Sequence, residues 1–251
     1  MRPAEVTEIW RHPLKSHGRE ALDTVTLSAG QTMPGDRVWA VAHEASKADG
    51  SEWVPCQNFT RGAKAPALMA VNARLDDATG QLTLTHPDRP DLTFDPENPT
   101  DLPRFLEWEK PLLPANRAGS SHIVRVPGRG LTDSVFPSIT LCNRASHRAV
   151  EQAIGHPLSP LRWRGNIWFD LGEAWAENEW LGREVQIGEA VLAVRDRVVR
   201  CLATTANPET GERDADTLKT LKDNWGHQDF SVYAEVIRGG PVRIGDAVKV
   251  L

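Results

Sequence analysis

A chain of 251 residues, 40% hydrophobic and 25% charged, can bury a substantial core and has the balance of an ordinary globular protein. Its formal charge of −5 argues against a general nucleic-acid binder, so any anion site must be local. Three scattered cysteines, Cys56, Cys142 and Cys201, form neither a disulfide framework nor a CxxC metal motif and suit a reducing, cytoplasmic setting.

The opening MRPAEVTEIW has no apolar core of a secretory signal. No apolar run approaches the ~18–20 residues that span a membrane, so no membrane association is expected. Over the first hundred residues VTEIW, DTVTL, RVWAVAH and LTLTH read as short strands, separated by MPGD, DATG and PDRPD turns. That spacing predicts a small antiparallel sheet or barrel. Residues 95–120 are turn-rich around one helical piece, LPRFLEWEK, whose Phe105, Leu106 and Trp108 call for burial. We place a seam there, between a β subdomain over 1–105 and a second domain over 106–251.

The clearest helix is NRASHRAVEQAIGHP, with Asn143 as N-cap, an apolar stripe of Ala149, Val150, Ala153 and Ile154, and a stop at Gly155 and Pro157. A second helix is predicted within DADTLKTLKDNW, Leu218 and Leu221 inward. The segments VQIGEAVLAV and VRIGDAVKVL echo each other as two similar hairpins of one barrel would. The expected fold is mixed but mainly β: a β-barrel domain with inserted helices, plus a smaller N-terminal β-barrel or sheet subdomain. Nine tryptophans beside one tyrosine are read as bulky packing between β layers.

The chemistry concentrates in RCLATTANPETGERDADTLKTL. Cys201 follows Arg200, with Arg195 and Arg197 upstream. A thiol in cationic surroundings can serve as a nucleophile or a soft metal ligand, and a cysteine can equally fill a buried strand end. Three further stretches put a cation or amide at a loop-to-strand junction: Lys15 and Ser16 in HPLKSHGRE, Arg37 in PGDRVWAV, and Arg164 and Asn166 in RWRGNIWFD. Together they suit a phosphate and a polar ring system. No Walker loop or GxGxxG fingerprint is present, so ordinary nucleotide binding has no support.

PLKSHGRE, GDRVWAV, RWRGNIWFD and above all RCLATTANPETGERDADTLKTL…FSVYAEVIRGGPVRIGDAVKVL resemble the MOSC family, domains related to the C-terminal part of molybdenum-cofactor sulfurase. The resemblance implies a molybdenum cofactor in which a phosphate-bearing pterin dithiolene holds the metal. It makes Cys201 a metal ligand and the catalytic centre. It carries cofactor binding onto Lys15, Ser16, Arg37, Arg164, Asn166 and Thr204, with Arg200 beside the cysteine. The implied activity is reduction of small N-hydroxylated compounds or N- and S-oxides. A separate electron-donor protein, a reductase or a ferredoxin-like carrier, would be needed, because no cysteine-rich tail for an iron–sulfur cluster follows. The alternatives are a sulfur carrier with a Cys201 persulfide and a non-catalytic cofactor carrier. The chain departs from its relatives at His17, where many have cysteine, at PCQN, where many have arginine before the glutamine, and at Gly165, where proline is common. Asp133 falls near an acidic position of the family, and His227 and Asp229 stand in a loop that could form a lip of the pocket.

Overall fold

A computed structural model describes residues 4–251. The strands and helices run, in chain order, β1 (Ala4–Arg11), β2 (Glu20–Leu22), β3 (Thr24–Leu27), β4 (Trp39–His43), β5 (Asn72–Leu75), β6 (Leu82–His86), β7 (Arg89–Phe94), α1 (Leu102–Glu109), β8 (Ser120–Arg125) and β9 (Ile139–Asn143). They continue with α2 (Arg144–Ile154), β10 (Ile167–Phe169), β11 (Glu184–Ile187), β12 (Ala190–Val199), α3 (Thr217–Trp225), β13 (Asp229–Arg238), β14 (Gly240–Arg243) and β15 (Ala247–Val250). No helix among the described residues is long and apolar enough to cross a membrane.

The order β10-β9-β13-β12-β11-β15-β1 closes on itself where β10 pairs with β1, making a seven-stranded barrel. Its interior follows from the two-residue period of a strand. Ala190, Leu192 and Val194 of β12 face Val232, Ala234 and Val236 of β13 in one buried cluster with Leu141 and Phe169. In β1 the inward residues are Val6 and Ile9, an odd spacing that a bulge between Val6 and Glu8 reconciles with the alternation. The β9–β10 pair is parallel, and a parallel pair needs a crossover, which α2 supplies. Thus β1, from the first dozen residues, belongs to the large barrel and not to the N-terminal sheets.

Those sheets are β5-β6-β7 and the β4–β8 pair, whereas the β3–β14 pair buries Val25, Leu27 and Val242 against the barrel core. Leu14, Leu82, Leu84, Phe94, Phe105 and Trp108 share a second core, with Phe94 stacked on Phe105 at 5.0 Å. Residues 95–120 are therefore a packed segment: Phe105 and Trp108 are buried and Leu106 is half-buried.

Helix α2 starts where Asn143 Oδ1 accepts from Ala145 N and ends at Gly155. Its buried face differs from the expected stripe: Ser146, His147 and Val150 point inward while Ala153 is exposed. The polar residues are tolerated inside because both are satisfied. Ser146 Oγ donates to Glu177 Oε1 (2.6 Å), and His147 Nδ1 accepts from Trp163 Nε1 (3.0 Å). Helix α3 is capped by Asp216, whose side chain accepts from Lys219 N, with Leu221 fully buried and Leu218 half-buried. The tryptophans do pack, Trp163 lying on Phe230 at 3.9 Å and 10°.

The two echoing segments differ in structure. β11 and β12 form a hairpin, but β14 pairs with β3 and β15 with β11 and β1. The chain changes sheets between β14 and β15, where Asp246 Oδ2 accepts from Arg243 N (2.7 Å). The likeness of the segments instead serves adjacency, with Val185 opposite Val250 and Ile187 opposite Val248.

Gly165 has a steric cause. A Cβ there would lie 2.1 Å from Cys142 Sγ, and Cys142 is fully buried, its thiol pushed up to about 12 by burial. Gly165→Ala should cost about 1–3 kcal/mol through overpacking, and Cys142→Ala should recover most of it. Urea denaturation of the two single variants and the double variant measures the coupling; additive effects would discount the contact.

Candidate functional site

The loop after β1 is built by tight turns. Gly18 has φ +87°, and a Cβ on it would come within 2.6 Å of Ala73 Cβ. Ser16 is also left-handed, at φ 66°. Lys15 N donates to Trp39 O (2.8 Å), tying the loop to β4. The Lys15 side chain, 6% exposed, donates through Nζ to Leu131 O (2.6 Å) and Asp133 Oδ1 (2.5 Å). Beneath it His17 Nδ1 donates to Lys15 O (2.8 Å) and Nε2 meets Glu109 Oε1 (2.7 Å), both side chains fully buried. Each ring nitrogen thus has an oxygen partner in a fully buried setting. His17 is a strut for the Lys15 loop.

Arg37 and Arg164 are left-handed too, each at φ 51°. Arg37 donates through Nη1 to Asp36 Oδ2 and through Nη2 to Arg164 O (2.9 Å). Burial opposes the charge on Asp36, but Arg37 and His12 outweigh it and hold the carboxyl far below the usual range. Arg164 Nη2 donates to Gly18 O (3.1 Å), whereas its Nη1 is buried with no hydrogen-bond partner. Burial, then repulsion from Arg37 and Arg19, brings Arg164 down to about 9. The site is short of negative charge.

Cys201 follows the end of β12, where the ladder to β13 shifts register between Val194 and Asp196 and again between Arg197 and Val199. Ser231, across from this end, is left-handed at φ 71°. Such bulges re-aim side chains, and Cys201 emerges exposed. Its carbonyl accepts from Thr204 N and Thr204 Oγ1, both at 3.1 Å. Thr204 Oγ1 also bonds Thr217 Oγ1 (2.7 Å). Arg200 donates to Phe230 O (2.7 Å) and Trp163 O (2.7 Å) and lies 5.6 Å from the Phe230 ring centroid. Its donors are engaged by the backbone, which makes it a staple for the strand end. Arg195 pairs with Glu235 (2.8 Å) and does not line the cavity.

Lys15, Ser16, Arg37, Arg164, Arg200, Cys201 and Thr204 line one cavity of about 200 Å³. Asn166 does not reach it. Buried to 1% exposure, it accepts from Thr140 N (3.1 Å) and donates to Trp10 O (3.2 Å), pinning β10 behind the wall. His227 and Asp229 are also outside the lining; His227 stacks edge-on against Trp175.

The cavity adds residues that sequence reading did not select. Arg162 chelates Asp214 (3.1 and 3.3 Å) and supports Thr204 O (3.0 Å). Arg61 Nη1 donates to Cys56 Sγ (3.1 Å), so a guanidinium does cover the Cys56 position, supplied from five residues on. Its signal in the sequence is a cation before glycine, TRGAK, the same pattern as RWRGN. Asp133 joins as the partner of Lys15. The lining thus carries six cations (Lys15, Arg37, Arg61, Arg162, Arg164 and Arg200) against one carboxylate, Asp133, in a chain of charge −5. Such a concentration on one concave wall attracts an anion.

Comparison with known proteins agrees with the barrel and the segment order. Residues 3–115 match the MOSC N-terminal beta barrel domain and residues 134–249 the MOSC domain. Mitochondrial amidoxime-reducing component 1 of Danio rerio is 26% identical over 287 residues, covering 97% of this chain and 83% of the relative. Among solved structures, the YUAD protein of Bacillus subtilis is 12% identical with a TM-score of 0.47, covering 98% of this chain and 94% of that one. YiiM of Geobacillus stearothermophilus is 17% identical with a TM-score of 0.36, covering 45% and 53%. The two domain matches, in this order over nearly the whole length, place the chain in the MOSC-domain family.

Proposed function

We propose that this cavity binds a molybdenum–pterin cofactor and that the protein reduces small N-hydroxylated or N- and S-oxide compounds, with electrons from a separate donor protein. The observation that carries the reading is Arg164: a guanidinium with a buried, unpartnered Nη1 in a wall of six cations and one carboxylate. A phosphate would supply the missing acceptor and offset the mutual repulsion of Arg164 and Arg37. The amidoxime-reducing name of the Danio rerio relative is compatible with that chemistry and suggests the substrate class.

The residues fit the group. Lys15 and Arg37 are held by Leu131 O, Asp133 and Asp36 before any ligand arrives. Cys201 offers an exposed thiol on the same cavity, suited as a thiolate to a soft or high-valent metal. No group of three or more His, Cys, Asp or Glu is placed to hold a metal among the described residues, so a metal at Cys201 would take its other ligands from a cofactor. Bound there, the cofactor would supply the two-electron redox chemistry. Tyr233 lines the cavity as well, its phenol kept protonated by burial and by the Asp133 charge, so it offers an O–H to a substrate.

Protein from a cofactor-replete host should contain near-stoichiometric molybdenum and pterin. Cys201→Ala should lose the metal, and Arg164→Met should lower pterin occupancy several-fold. Elemental analysis and pterin fluorescence read both. Absence of metal and pterin from the wild type, with labile sulfur on Cys201, would replace this reading by the sulfur carrier.

The support beneath Arg37 makes a second prediction. Burial, then repulsion by Arg164 and Arg37, takes His12 down to about 3, against about 6.5 in an unfolded chain. Between those values the unfolded chain binds a proton that the folded one refuses. Stability should therefore fall as pH drops below about 6.5, by up to about 1.4 kcal/mol per pH unit from this group. Urea denaturation at pH 7 and pH 5 should show a smaller loss for His12→Gln than for the wild type; equal losses would mean that folded His12 takes up its proton normally.

A further inference from the structure

A second cavity, also of about 200 Å³, lies on the N-terminal side and shares one wall, Arg61, with the first. Its remaining charged lining residues are Lys64 and Arg117, both exposed, and no aspartate or glutamate among the described residues lines it. No ion pair joins Arg61, Lys64 or Arg117 to a carboxylate among the described residues. Other surface cations, such as Arg125 with Glu97, Arg148 with Asp170 and Lys219 with Asp223, are paired. Three uncompensated cations around one concavity in an acidic protein form a local positive field.

The floor is of a different character. Phe59 and Ala65 are buried there, and Leu113 and Pro114 are half-buried. An apolar floor with a few charged groups at the rim is the make-up of a small-molecule site. His43 also lines the cavity, its Nε2 donating to Gln57 O (2.9 Å).

We propose that this cavity is a binding site for a small organic anion, a phosphate monoester or carboxylate with a compact apolar body. The anion is held by Lys64, Arg117 and the outer face of Arg61, and the body rests on Phe59 and Leu113. The site is independent of the cofactor reading, because none of its residues except Arg61 belongs to the first cavity. Arg61 also touches Cys56 Sγ (3.1 Å), so an occupant stands one side chain away from the cavity that contains Cys201.

The test is calorimetric titration of the full chain with phenyl phosphate, benzoate, inorganic phosphate and phenol. Phenyl phosphate or benzoate should bind saturably, inorganic phosphate several-fold more weakly for want of a body, and phenol not at all for want of a charge. The stronger of phenyl phosphate and benzoate identifies the natural head group as phosphate or carboxylate. Lys64→Ala with Arg117→Ala should weaken binding about tenfold or more, and Lys64→Arg should keep it. These exposed positions leave the core untouched, which a thermal melt of the variants checks. Arg164→Met, in the first cavity, should leave binding unchanged. The proposal is overturned if neither organic anion binds, or if binding survives the Lys64/Arg117 change. It is equally overturned if Arg164→Met abolishes binding, which would place the ligand in the first cavity.

Discussion

Keeping several guanidinium groups close together and out of water is the constraint on which the centre of this molecule depends. Burial acts against the charge on both Arg164 and Arg37; repulsion from Arg37 and Arg19 adds to it at Arg164, whereas Asp36 and Asp133 outweigh it at Arg37. Asp36 supplies a buried counter-charge, His12 stays neutral beside it, and backbone carbonyls of Gly18 and Arg164 take up guanidinium donors. The compensation stops short at Arg164 Nη1 and at Arg19 Nε, both buried without a hydrogen-bond partner among the described residues. An incomplete balance of this kind is tolerable when a ligand finishes it.

Backbone strain follows the same geography. Of the five non-glycine residues with positive φ among the described residues, Ser16, Arg37 and Arg164 line the first cavity, and Ser231 lies beneath Arg200. A left-handed residue that carries a side chain costs of order 1 kcal/mol or more, so the fold has to over-determine it. It does so with short loops anchored at both ends: Lys15 N on Trp39 O, Arg37 N on His12 O, and Arg164 N on Leu161 O. The closed barrel provides the rigid frame, and the bulged end of β12 carries Cys201 to the opening. Strand ladders hold the site in place, and their irregularities open it.

Much of this was legible in the chain. Asn143 and Gly155 mark the ends of α2, and the alternating Val, Leu and Ala of β12 and β13 mark barrel strands, because capping and period-two burial are local rules. Lys15, Ser16, Arg37, Arg164, Arg200, Cys201 and Thr204 were picked out by loop-to-strand position and family resemblance, and they meet in space. Asn166 was picked out by the same reasoning but serves the wall: an amide before a strand reads alike whether it bonds a ligand or a neighbouring backbone. The inward face of α2 keeps Val150 and Ile154 of the expected stripe but also takes in two polar residues, for a related reason. Ser146 and His147 are buried through partners on Glu177 and Trp163, which are distant in sequence.

What the sequence by itself determined were the short-range features: strand periods, helix caps, the cation-and-turn junctions and the isolated thiol. The tertiary structure alone decided that β1 closes a barrel with β10, that the two similar C-terminal segments lie side by side and not as two hairpins, and that Arg61 reaches Cys56. It also decided which charges share a cavity without a counter-ion. Propensity and capping act over a few residues of chain. Barrel closure, sheet exchange and the balance of charge in a cavity depend on contacts between residues a hundred or more positions apart, such as Lys15 with Asp133 and Arg37 with Arg164.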